Sequence, residues 1–202
     1  YVMLPEHKLD EAVSTAKDVV ARMYPTLLAN EQYTAMVNER HYERMQRNLA
    51  DANERGIQTI SINPANEDFS DNPTHKVPPT LIVNPDDEAL CMTDEIFGPL
   101  LPLKTYTQFE DTISYINARP RPLAAYYFGK HDAEEHRFLT GTTSGGACVN
   151  DVMFHMLQKD LPFGGVGHSG MGAYHGIEGF KTFSHAKSVY KQPGKIPVTK
   201  LA

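Results

Sequence analysis

Cysteine is scarce: Cys91 and Cys148 are the only two in 202 residues. A small fold stapled by disulfides needs a denser framework, so that class is excluded. A single bridge between the two stays open, but the favoured reading is a reduced pair in a cytoplasmic protein. Positive charge is also short. Nineteen Lys and Arg stand against 25 Asp and Glu, a formal net charge of -6, which argues against a nucleic-acid-binding face. No apolar run approaches the roughly 18 residues that would cross a bilayer. Residues 1–10 have neither the basic nor the apolar region of a signal peptide. Internal repeats and low-complexity tracts are absent as well. The chain begins with Tyr1 rather than Met, so a processed product or a piece of something longer is expected.

What is present is an ordinary globular composition. Hydrophobic residues make up 41%, enough to bury a core and too much for a disordered tail. Helical and strand patterns alternate, which predicts an α/β fold with a mainly parallel sheet and flanking helices. Residues 6–23 read as an amphipathic helix, with Leu9, Val13, Ala16, Val19, Val20 and Met23 on one stripe. Residues 39–55 form a second, more polar helix ending at Gly56. Strands are expected at 58–62, 77–83, 100–105, 123–128, 145–150 and 187–191. The apolar run 123–128 suits a strand buried on both faces. Helices are expected at 107–118 and 131–140. The Asn- and Pro-rich stretch 63–76 reads as a surface loop, and residues 161–180 are rich in glycine.

Several motifs invite chemistry. Gly165-Val166-Gly167-His168-Ser169-Gly170 fits G-x-G-x-x-G, the phosphate-cradling pattern of dinucleotide folds. That pattern requires a strand directly before it and a helix directly after. Leu161-Pro162-Phe163 is too short and too Pro-broken for the first, and Gly172, Gly176 and Gly179 interrupt the second. A tight, shaped loop is the better reading. Cys148, near His155, could serve as a nucleophile, but its place in an apolar alternation favours burial. A thiol hydrolase built on Cys148 is one alternative function. The nine histidines show no ligand spacing beyond the loose His131 and His136 pair, so no metal site is expected. Glu95-Ile96-Phe97-Gly98-Pro99 presents a carboxylate and an aromatic ring on one turn. A carboxylate can accept two hydroxyl hydrogen bonds of a ribose, and a ring can pack on a flat heterocycle. Taken alone, a structural turn is the simpler account.

The order of the motifs is more specific than any one of them. The E-x-F-G-P segment at 95–99 is followed by Ser144-Gly145-Gly146 and Asn150-Asp151. Then come Leu161-Pro162-Phe163-Gly164-Gly165, Tyr174-His175-Gly176 and Phe180-Lys181-Thr182-Phe183-Ser184. This series resembles the aldehyde dehydrogenase superfamily, in its class 3 branch and nearest to the bacterial coniferyl aldehyde dehydrogenases. Pro78-Pro79-Thr80 falls where that family starts a strand with A-P-T. The likeness runs from Tyr1 to about Gln192.

The resemblance implies residues 1–180 as the C-terminal portion of the catalytic domain, and 181–202 as an oligomerisation strand and tail that makes the whole enzyme a homodimer. Family members are more than twice this long. Their nucleophilic Cys, general-base Glu and oxyanion-hole Asn match no position here and are expected upstream of Tyr1, so the piece alone is expected to be inactive. In the family, a thiolate attacks the aldehyde, hydride passes to NAD or NADP, and the resulting thioester is hydrolysed to the acid. By resemblance, Glu95 holds the nicotinamide ribose and Phe97 packs beside the nicotinamide. Phe163, Gly164 and Gly165 form a wall of the aldehyde channel, and Asn150 stands near the acyl site in a role as readily structural as functional. Phe163, Met153 and Met156 suit coniferyl or another aromatic or apolar aldehyde. The alternative of another class is a self-standing, non-catalytic binding or structural module of the same fold.

Overall fold

The computed structural model describes Tyr1–Gln192. The chain divides into two units, one spanning Tyr1–Thr112 and the other beginning at Ile113. The first contains β1 (Val2–Pro5), a 3-10 turn at Glu6–Lys8, α1 (Leu9–Met23), α2 (Glu39–Glu54), β2 (Gln58–Ser61), β3 (Thr80–Val83), α3 (Leu90–Thr93) and β4 (Leu100–Tyr106). Its sheet has the order β1-β4-β3-β2. β4 runs parallel to both β1 and β3, and β2 closes the edge antiparallel to β3.

Side-chain alternation along β3 builds two apolar layers. Leu81 joins Leu4, Ile62 and Leu103 on one face, where Leu9, Val13, Ala16 and Val20 of α1 pack. Ile82 joins Val77, Ala89, Cys91 and Leu100 on the other, with Met45 and Ala52 of α2. The helical stripe expected between residues 6 and 23 thus covers the sheet, although residues 6–8 take the tighter turn. Asn38 starts α2 by accepting the His41 backbone N–H at 3.1 Å. The strand expected from Val77 begins only at Thr80, because Pro78 and Pro79 have no N–H to give a ladder.

Residues 63–76 form no regular element, as expected, yet they work as a clamp. The Glu67 carboxylate accepts the backbone N–H groups of Leu27 and Leu28, at 2.5 and 3.0 Å. The Lys76 ammonium donates to the carbonyls of Leu27, Leu28 and Asn30 at 2.7–3.1 Å. Nearby, the buried Tyr33 hydroxyl donates to the Val77 carbonyl at 2.6 Å. Burial, with a smaller contribution from Tyr24, pushes the Tyr33 phenol up to about 12.

The second unit pairs β5 (Ala124–Tyr127) and β6 (Gly146–Val149) in parallel, with α5 (Asp132–Gly141) between them in the chain. It continues through α6 (Phe154–Leu157) and α7 (Gly176–Thr182). α4 (Phe109–Asn117) spans the boundary between the units. Two expectations fail here. β5 is not buried on both faces: Tyr127 is buried under Phe138, but Tyr126 and the flanking Leu123 and Phe128 are exposed. A pair of strands presents too little sheet for the described helices to cover on both sides. Nor do residues 187–191 form a strand. A strand needs a neighbour to bond with, and among the described residues none pairs with them. Residues 193–202, the rest of the expected tail, lie outside the described part of the chain.

Candidate functional site

The E-x-F-G-P segment is a loop between α3 and β4, and α2 holds it from beneath. Glu95 and Phe97 are both exposed. The Glu95 carboxylate carries no hydrogen bond among the described residues. Phe97 adopts φ 47°, the left-handed region that an aromatic residue rarely enters. Arg44 of α2 donates from Nη2 to the Ile96 carbonyl at 2.7 Å, and its guanidinium carbon stands 5.9 Å from the Phe97 ring centroid. Gly98 lies so close to Met45 that a β-carbon there would collide with the thioether sulfur. Met45 is completely buried, so it has little room to yield. Phe97, Gly98 and Pro99 form part of the lining of a cleft of about 660 Å³, with Tyr24, Tyr33 and His41 among the other lining residues. The free acceptor and the open ring face on one loop fit a ribose diol and a flat heterocycle.

The second unit carries the other four positions. Phe163 pairs its backbone with Tyr174 in an isolated antiparallel bridge, through bonds of 3.0 and 2.9 Å. Its ring stands 5.6 Å from Tyr174, 5.9 Å from His155 and 6.3 Å from His175, centroid to centroid. Gly164 and Gly165 follow in close main-chain contact. A β-carbon at Gly164 would strike the Gly172 carbonyl, and one at Gly165 the Ser169 carbonyl. One at Gly145 would in turn strike the Gly164 carbonyl. Phe163, Gly164 and Gly165 therefore form one continuous wall. Asn150 behaves differently. Its carbonyl oxygen accepts the Gly129 N–H at 2.8 Å and its amide nitrogen donates to the Gly129 carbonyl at 2.9 Å. Both polar atoms thus tie down the turn after β5, at a residue with φ 56°.

Cys91 and Cys148 are both free and buried. Burial pushes the Cys91 thiol up, with Asp51 adding to the effect. Cys148 Sγ lies 3.0 Å from His155 Nδ1 and accepts the His155 backbone N–H at 3.3 Å. Three or more His, Cys, Asp or Glu side chains able to hold a metal do not cluster among the described residues.

A model of the aldehyde dehydrogenase family matches residues 2–189. The chain belongs to the aldehyde dehydrogenase family. Within that family, a coniferyl aldehyde dehydrogenase from a Pseudomonas species is 54% identical over 95% of this chain and 40% of its own length. A probable coniferyl aldehyde dehydrogenase from Caulobacter vibrioides is 49% identical over the same shares. Substrate-bound AldH from Staphylococcus aureus is 31% identical and superposes with a TM-score of 0.82, over 99% of this chain and 43% of that one. The chain thus spans about two-fifths of the length of the curated relatives it matches. Family membership also removes the thiol-hydrolase alternative, which required the motif series to be coincidental. Sequence reasoning missed Arg44 and Met45, which lie far from the loop in the chain and carry no motif of their own.

Proposed function

We propose that the whole protein oxidises an aldehyde to its carboxylic acid with NAD or NADP, and that this chain positions the cofactor and the aldehyde. The observation that carries the reading is the loop with Glu95 and Phe97, locked onto α2 within a chain that matches the aldehyde dehydrogenase family over residues 2–189. The nicotinamide supplies the hydride acceptor. The Glu95 carboxylate accepts the two ribose hydroxyls and so fixes how the ring is turned. Phe97 packs against the ring and keeps water from that face. Phe163 and the Gly164-Gly165 main chain bound the aldehyde on an apolar side. Asn150 acts through the turn it holds rather than by touching the substrate. The cysteine nucleophile that forms the thioester and the glutamate base that activates water belong to sequence outside this chain.

The proposed substrate is coniferyl or another aromatic aldehyde. Phe163, with Tyr174 and His155 around its ring, gives an aromatic surface for a flat substrate, and the two relatives cited above carry coniferyl aldehyde in their names. The proposed assembly is a homodimer in which the segment after α7 adds a strand to a partner subunit. The exposed Phe183, Val189 and Tyr190 support this. The proposed location is cytoplasmic; no helix among the described residues is long and apolar enough to cross a membrane.

Glu95→Gln in the full-length enzyme tests the central role. Single-turnover hydride transfer at saturating cofactor is expected to fall about tenfold or more, since a misdirected ring loses near-attack geometry. A rate equal to the parent's removes Glu95 from the mechanism.

A further inference from the structure

We infer that Arg44 is a positioning residue for hydride transfer: it locks the loop of Glu95 and Phe97 in the conformation that presents the ring. The inference rests on the role proposed above for Phe97. Three observations meet at one side chain. The Arg44 guanidinium donates to the Ile96 carbonyl at 2.7 Å. It also faces the Phe97 ring at 5.9 Å. Its Nε is buried without a hydrogen-bond partner among the described residues.

The geometry explains why these contacts matter. The Ile96 carbonyl belongs to the peptide plane that precedes Phe97, and φ of Phe97 is the rotation between that plane and its own Cα. Arg44 fixes the plane from one side. Gly98, pressed on the buried Met45, fixes the chain on the other. Phe97 is thereby held at φ 47°, which a free loop would abandon for the negative-φ side. Strained backbone of this kind persists only where its surroundings over-determine it. The cation over the ring holds the side chain as well as the backbone. The cost of burying Nε unpaired is consistent with a side chain kept for its fit to this loop. Arg44 touches neither reacting atom; it acts through Phe97.

The test uses the full-length enzyme with an aromatic aldehyde such as benzaldehyde, carrying hydrogen or deuterium on the aldehyde carbon. Single-turnover formation of reduced nicotinamide is followed at saturating cofactor for the parent, R44M, R44K, F97L and R44M/F97L. R44M is expected to slow the hydride step roughly ten- to hundredfold and to bring out the deuterium isotope effect, with KM for the aldehyde nearly unchanged. R44K, which keeps a donor and a cation but not the planar fork, recovers part of the loss. R44M/F97L is expected to be no slower than F97L, because both changes remove one presented ring. R44M within about twofold of the parent while F97L is impaired overturns the inference and leaves the role of Phe97 standing. Independent, multiplying losses in the double variant overturn it too. F97L at the parental rate instead withdraws the role of Phe97, and this inference with it. If R44M does not fold, the R44K/F97L pair takes its place under the same criteria.

Discussion

Gly98 is needed for what lies under it. Its backbone is not in a glycine-only conformation; Met45 simply occupies the space where a β-carbon would be. Met45 is sealed in the core, so Gly98→Ala must push it into its neighbours. The expected cost is about 1–3 kcal/mol, read as a shift of the denaturant midpoint. Combining G98A with Met45→Ala is expected to cost less than the sum of the two, because the second change removes the obstacle of the first. A strictly additive pair would mean that Gly98 serves some other purpose. Residue type and spacing made a turn legible at Glu95–Pro99, while the roles expected of Glu95 and Phe97 came from the family resemblance. The reason for Gly98 was not legible, since Met45 sits far earlier in the chain. Asn150 is a similar case. Its residue type suited either a site or a turn, and only the paired bonds to Gly129 make the turn role visible.

Asp51 shows how one carboxylate joins two elements. It accepts Arg55 Nε–H at 2.8 Å just past the end of α2 and the Leu90 N–H at 2.8 Å at the start of α3. The bond from Arg55, then that from Leu90, holds its carboxyl below the usual range. A carboxyl depressed in the folded state stabilises above its unfolded pKa of about 3.9 and loses that contribution as pH falls through the folded value. Asp51→Asn is therefore expected to cost about 1 kcal/mol near pH 7, a modest figure because Arg55 is partly solvated. The gap between parent and variant should close below about pH 4. A gap that stays constant in acid would mean that Asn replaces the bonds of Asp51. The longer elements were readable from periodicity: α1 and α2 by their stripes, β3 and β4 by apolar runs between turns. β1, α3, α6 and α7 span only four to seven residues, too few to establish a period. The clamp of Glu67 and Lys76 hid inside a stretch whose composition announced only a loop.

The family fold places a mainly parallel sheet between α1 and α2 in the first unit, and a smaller parallel pair in the second. That class followed from the alternation of patterns, because parallel strands require crossover helices. Residues 187–191 did not form the strand the sequence suggested, because strand formation there depends on something to pair with. Val189 and Tyr190 stand 79% and 75% exposed, an unusual state for apolar side chains that carry out no work alone. If the segment after α7 builds the proposed dimer, deleting residues 185–202 from the whole protein is expected to halve its mass in light scattering. A truncated enzyme that remains dimeric would place the interface elsewhere.

If Gly164 and Gly165 bound the aldehyde as proposed, their close packing with the Gly145 main chain limits how the choice of aldehyde could be changed. A wall made of peptide groups has no side chain to trim and no space to add one. Mutagenic libraries spread over these three positions would return mostly misfolded protein. Diversity belongs instead at Phe163 and the side chains around its ring, His155, Tyr174 and His175. The breadth of the aldehyde repertoire is then a question of what stands along that wall, with the wall itself as a fixed boundary of the design space.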